Sequence, residues 1–460
     1  MTAKWCVLAS VACGTYMATL DSSIVNIALP TLTKELGPDL YRIKWVVIVY
    51  LLMITCLVLP FGRLSDQYGR KPVFQSGFLI FTMGSILCGL APNLGWLVLF
   101  RAIQAIGAAM LMANGPAIIT NAFSNKERGT ALGTLAMVVS VGLVTGPSIG
   151  GFLIAHFGWR SIFWVNLPFG LIGIFLVQQF VKRENSIRAN APFDWGGAFL
   201  QSLVLLVFMV LFDPPRISVS GSLPVAISRW MIAIVLFFLV MIFAKVEAEA
   251  KAPLFDMGLL RNRTFWTANL AGFLIFVAFS SVTVLMPFFL EEVLHFAPQK
   301  AGVFMTAIPL TIFVVAPISG RLSDHLGSLE LCISGALVGV IGLFSMSGVF
   351  GNGIHENTDH IWIVIGLGTI GLAAGLFQSP NNNAIMGSIP IHKLGIASAL
   401  LATVRNLGLV TGTGLSTSLF TWVISITGNF ITAFHTSLFV AGLVCVGAML
   451  ATLGKIRRAI

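Results

Sequence analysis

Apolar residues run along this chain in blocks of roughly 20 residues, long enough to cross a bilayer as helix, divided by short polar segments. Within each block the apolar positions fall on every face and do not alternate. This predicts membrane helices and argues against an outer-membrane barrel. Blocks at 5–30, 43–61, 73–91, 95–120, 130–156, 161–181, 195–212, 228–245, 265–290, 301–319, 329–350, 361–386, 395–423 and 430–453 predict fourteen spans. Two carry unusual residues: 361–386 contains QSPNNN, and 130–156 is rich in glycine. The pattern predicts an all-α polytopic membrane protein.

Composition narrows the class. Of 460 residues, 57% are hydrophobic and 10% charged, against about 25% charged in soluble domains. The net charge of +10 is scattered singly through short loops, so it marks topology and not a nucleic-acid partner. The six cysteines sit mostly within apolar blocks, without CxxC or metal spacing, and are expected to be reduced packing residues. MTAKWCVLAS leads directly into an apolar block, so no cleavable leader is expected. GPSIG at 146–150 and GLGTIG at 366–371 match a nucleophile elbow and a dinucleotide fingerprint, but both lie inside predicted spans. The seven histidines are scattered, no P-loop is present, and neither an enzyme nor direct ATP drive is expected. No metal or cofactor is called for.

An even number of spans puts both termini on one side. With the termini cytoplasmic, 18 of the 27 Lys and Arg fall inside and 7 outside, leaving Arg101 and Arg405 within spans. That asymmetry satisfies the positive-inside rule and predicts cytoplasmic termini in a bacterial inner membrane.

The chain also repeats itself. GRLSD begins at Gly62 and again at Gly320, 258 positions on, and GLVTG begins at Gly142 and again at Gly408, 266 positions on. Two motifs in the same order at similar shifts predict duplication. Both copies of each fall at the same membrane level, so the halves are parallel repeats about an axis along the membrane normal. The predicted organisation is a six-helix bundle over 1–185, an inserted two-helix hairpin over 186–250, and a second six-helix bundle over 251–460. Such halves suit a rocking transporter with a site between them, whereas a channel would need a filter or pore ring.

These motifs resemble the major facilitator superfamily, and in particular its fourteen-helix drug:proton antiporter branch. GRLSDQYGRK at 62–71 is similar to the family's loop between helices two and three, and LDSSIVNIALP at 20–30 to the branch's first-helix motif. RAIQAIGAAM at 101–110, GLVTGPSIGG at 142–151 and GWRSIFWVNLPFG at 158–170 resemble further motifs of the branch. The second loop departs from the pattern, with Ser328 and Leu329 where basic residues are usual. The resemblance implies proton-coupled export of amphiphilic small molecules by a monomer in the lipid bilayer. It also implies that the Gly62, Asp66, Gly69 and Arg70 loop, with its second copy at Asp324, latches the halves on the cytoplasmic side, and that Gly146 and Pro147 favour antiport.

Residue chemistry supplies independent candidates. Asp21 is the one carboxylate predicted well inside a span, and an intramembrane carboxylate marks a functional site unless it only ties two helices together. With Pro30 taken as the end of span one, Asp21 lies about nine residues, roughly 13 Å, below the outer face, a depth close to that of Arg101. A guanidinium favours the ionised carboxylate and burial the neutral one, so the pair Asp21 and Arg101 could take and release a proton. Gln104 shares the face of Arg101 at i+3. Together with Asn114, Gln378, Asn381, Asn382 and Arg405, Gln104 forms the expected set of cavity residues. Arg405 either pairs with carbonyls near the NNN stretch or contacts substrate. One acid accompanied by two arginines leans the substrate towards neutral, zwitterionic, anionic or monocationic amphiphiles. The alternatives are a proton-coupled importer, a dedicated metabolite or lipid exporter, and a transport-inactive scaffold.

Overall fold

A computed structural model describes residues 3–37, 39–123, 127–182, 195–212, 225–249, 262–351, 353–356, 358–389 and 394–454. The described chain is helical. The long elements are α1 (Ala3–Leu36), α2 (Trp45–Tyr68), α3 (Arg70–Gly89), α4 (Leu94–Ala122), α5 (Arg128–Phe157) and α6 (Asn166–Phe180). They continue with α7 (Trp195–Phe212), α8 (Val225–Glu249), α9 (Arg263–Phe288), α10 (Pro298–Met305), α11 (Ala307–Leu326), α12 (Ser328–Met346), α13 (His360–Gly387), α14 (Leu394–Thr427) and α15 (Phe430–Leu453). Thr306 alone separates α10 from α11, and a π-helical turn, Phe289–Val293, continues α9. Among the described residues eleven helical segments are long and apolar enough to cross a membrane. The GPSIG and GLGTIG stretches lie inside α5 and α13. The expected domain boundaries at 185/186 and 250/251 lie outside the described residues, as do Lys126, Arg183, Arg188, Lys251, Arg261, Lys393, Lys455, Arg457 and Arg458.

Helix α1 is not among the eleven, and its sequence explains why. Ser10, Thr19 and Asp21 interrupt its apolar face, yet all three are buried among neighbouring helices, where hydroxyls bond back to the preceding turn. Pro30 does not end the helix as expected from the sequence. Proline bends a helix when neighbours satisfy the freed carbonyl, and α1 runs on to Leu36. Asp21 therefore lies 15 residues from Leu36 and 18 from Ala3, close to the middle of the helix and slightly on the Leu36 side.

Packing follows one scheme twice. In the first half α1 packs on α4, α5 and α6, α4 on α2 and α3, and α3 on α6. In the second half α9 packs on α13, α14 and α15, α13 on α11 and α12, and α12 on α15. The halves meet through α5 against α10 and α11, and through α14 against α2. Helix α7 packs on α8 and also touches α2 and α14. The small-residue stripe of GLVTG explains the closest pairs. A Cβ on Gly146 would fall 2.6 Å from Ser23 of α1, and one on Gly412 would fall 2.4 Å from the Val277 carbonyl of α9.

The two GRLSD copies fold alike. Each ends a helix, and the break to the next helix is a single glycine: Gly69 with φ 93° and ψ 145°, Gly327 with φ 90° and ψ 150°. A side chain is strained in that region, so glycine alone permits this one-residue joint. Ser65 Oγ donates to the Gly62 carbonyl at 2.6 Å, and Ser323 Oγ to the Gly320 carbonyl at 2.7 Å. Arg70 Nη1 donates to the Ala117 carbonyl at 3.4 Å and Lys71 Nζ to the Gln178 carbonyl at 2.9 Å, both within the first half. The side chains of Asp66 and Asp324 lie outside the described part of the structure.

Candidate functional site

Five helices of the first half converge on Asp21. Its Oδ2 accepts from Arg101 Nη1 at 2.5 Å, and its Oδ1 accepts from Gln104 Nε2 and Asn166 Nδ2, each at 2.9 Å. Arg101 also donates through Nε to the Val46 carbonyl at 3.1 Å and through Nη1 to Gln104 Oε1 at 2.7 Å. Its guanidinium lies over the Tyr50 ring, 3.9 Å from the centroid. Ser85 Oγ accepts from Gln104 Nε2 at 3.1 Å and from Asn166 Nδ2 at 2.9 Å, and donates to the Phe163 carbonyl at 2.8 Å. Asp21, Gln104 and Asn166 have no exposed surface, and Arg101 has 1%. Protein encloses the carboxylate on every side.

Such a network is costly to break. Two opposite charges out of water are tolerable when close and fully hydrogen-bonded, and removing one strands the other. Sequence reasoning found Asp21, Arg101 and Gln104 but missed Tyr50, Ser85 and Asn166. Their one signal was a polar group interrupting an apolar block, and Asn166 falls within the quoted GWRSIFWVNLPFG stretch. Gln104 belongs to this buried network and not to a cavity.

The other expected cavity residues separate. Asn114 is buried in α4, where its Nδ2 donates to its own helix at the Met110 carbonyl, 2.8 Å away. Gln378, Asn381 and Asn382 of α13 and Arg405 of α14 line one cleft, together with Asn269 and Phe276 of α9. The cleft lies within the second half, whereas the ion pair lies within the first.

The halves close against each other at the end where α1 turns into α2 and where α9 leads into α10. A Cβ on Gly302 would stand 2.1 Å from the Pro147 carbonyl, and one on Gly151 would stand 2.4 Å from the Pro298 carbonyl. Ser148 and Thr306 hydroxyls are 2.6 Å apart. Lys44, with no exposed surface, reaches Ser418 Oγ at 3.2 Å, and Lys34 Nζ lies 3.8 Å from Glu291 Oε2 in the π-helical turn. Gly146 and Pro147 thus sit on two contacts, one to α1 and one to the opposite half. A half-exposed ion pair contributes up to about 1 kcal/mol, equivalent to about fivefold in a closing equilibrium. Glu291→Gln should therefore raise the labelling rate of Ser148→Cys by an impermeant thiol reagent up to about fivefold, with unchanged gel-filtration behaviour. An unchanged rate would leave the ion pair without a part in closure.

Eleven helical segments long and apolar enough to cross a membrane, among the described residues, define a polytopic membrane protein. The Major Facilitator Superfamily model matches residues 11–413. The chain belongs to that superfamily. It is 34% identical, over 100% of its length and 99% of the relative's, to a protein named Riboflavin transporter RibZ from Clostridioides difficile. It is 30% identical to Multidrug resistance protein Stp from Mycobacterium tuberculosis, over 87% of this chain and 72% of that one. It is also 30% identical to Multidrug transporter protein MdtP from Bacillus subtilis, over 85% and 71%. Members of this superfamily transport small molecules across a lipid bilayer and are not enzymes.

Proposed function

We propose that the protein is a monomeric secondary transporter of a bacterial plasma membrane that exports amphiphilic small molecules in exchange for protons. Its proposed architecture is fourteen spans: two six-helix repeats about an axis along the membrane normal, with a hairpin between them. Helices α1, α7 and α8 cover the three expected spans beyond the eleven, and the recurring packing scheme and matched glycine joints support the repeat. With the termini cytoplasmic, the closed face is the outer one and alternating access rocks the halves about it. The observation that carries proton coupling is the Asp21 carboxylate, held by Arg101, Gln104 and Asn166 with no exposed surface. A group so enclosed exchanges a proton only when its helices shift, which ties protonation to conformation.

A second function, transport of riboflavin or a similar metabolite, is favoured by the 34% identity to RibZ over the whole chain. Reconstituted proteoliposomes with an imposed pH gradient separate the two. An exporter with broad substrates should accumulate several amphiphilic dyes and acidify or alkalinise in step. A dedicated transporter should move riboflavin alone. Transport insensitive to the gradient would remove proton coupling.

A further inference from the structure

We infer that the cleft between α9, α13 and α14 is the substrate site and that Arg405 selects aromatic ligands carrying an anionic group. This rests on the transport function proposed above. Among the described residues Arg405 makes no hydrogen bond or ion pair, although it sits within a membrane-crossing segment, Leu400–Thr427. Among the described residues the cleft lining contains no carboxylate. The buried acid of the first half does not serve Arg405, because Asp21 is already matched to Arg101 at 2.5 Å. An intramembrane cation without a counter-ion is normally eliminated or paired, so one that faces a cleft suits a ligand that supplies the negative charge.

The rest of the lining completes the match. Asn269 is 4% exposed and its Oδ1 has no hydrogen-bond partner, so it can accept a ligand N–H or O–H beside the group that Arg405 holds. Phe276 and Phe377 line the same cleft, which in this closed form has only about 10 Å³ of water-accessible space. An aromatic ligand body therefore enters as α9, α13 and α14 part, and then packs on these two rings. An organic cation of the same size would meet a guanidinium with no acid to offset it, and is selected against. The cleft thus divides the labour of the molecule: a proton site in the first half and an anion-selective anchor in the second.

The test uses one aromatic body in three charge states: pyrenebutyrate, its methyl ester, and a pyrenyl trimethylammonium cation. Binding to the full chain in nanodiscs is followed by fluorescence anisotropy, with empty nanodiscs as blank. The carboxylate should bind at least about tenfold more tightly than the ester or the cation. Arg405→Gln should erase that preference, and Arg405→Lys should keep part of it. Pyrenebutyrate should also protect Leu401→Cys, in the cleft lining, from thiol labelling. Equal binding of the three probes to the unaltered protein would overturn the inference, as would a preference that survives Arg405→Gln. Should Arg405→Gln fail to yield monodisperse protein, the unaltered protein's charge preference and the Leu401→Cys protection decide. Charge-selective binding without transport of any probe would instead count against the transport function, leaving the anion site standing.

Discussion

Asp21→Asn is expected to abolish gradient-driven accumulation of substrate while counterflow exchange continues. Asparagine can still accept from Gln104 and Asn166 through its oxygen, as Asp21 Oδ1 does at 2.9 Å in each case. Its amide nitrogen, however, would meet Arg101 donor to donor and leave that guanidinium buried without a counter-ion. Breaking a buried pair from one side costs about 3–5 kcal/mol, so the single variant should also unfold at lower temperature. The double variant Asp21→Asn with Arg101→Gln removes both charges. It should regain much of the lost stability without regaining coupling, which separates the two effects. The measurement is substrate accumulation in inside-out vesicles with and without a proton gradient, alongside thermal unfolding. Accumulation at the normal level by Asp21→Asn would make the network structural and end the coupling mechanism.

Gly302→Val should slow transport for a different reason. Even a single Cβ there would stand 2.1 Å from the Pro147 carbonyl of the other half. Backbone cannot yield as a flexible side chain can, so the halves must part. Because the clash crosses the interface, each bundle should still fold, and thermal unfolding should change little. Transport should fall at least about fivefold, since overpacking typically costs about 1–3 kcal/mol, all borne by the closed state. Labelling of Ser148→Cys at the same face should rise in parallel. Gly351→Ala is the control, because a Cβ at Gly351 meets nothing within 4 Å. Normal transport by Gly302→Val would show that this face does not need to close.

Much of the fold was legible in one dimension because lipid imposes a simple rule: backbone in the bilayer must be helical or closed into a barrel, and membrane helices are apolar runs. The GRLSD and GLVTG echoes were legible too. Their physical content is a one-residue glycine joint at Gly69 and Gly327, and close helix contacts at Gly146 and Gly412. Pro30 misled because proline weakens a helix only locally. Its effect depends on neighbouring helices, which a linear pattern does not contain.

The site divides along the same line. By itself the sequence determined that Asp21, Arg101 and Arg405 are charges inside apolar blocks, since each stands out against its immediate neighbours. Only the tertiary structure decided which of them meet. Asp21 and Arg101, 80 positions apart, form an enclosed pair, and Asn166, 145 positions from Asp21, completes it. Arg405 is left facing a cleft with Gln378 and Asn269. Periodicity reports the face a residue occupies on its own helix. Partnership depends on how the helices cross, and those crossings are set by side-chain packing summed over both halves.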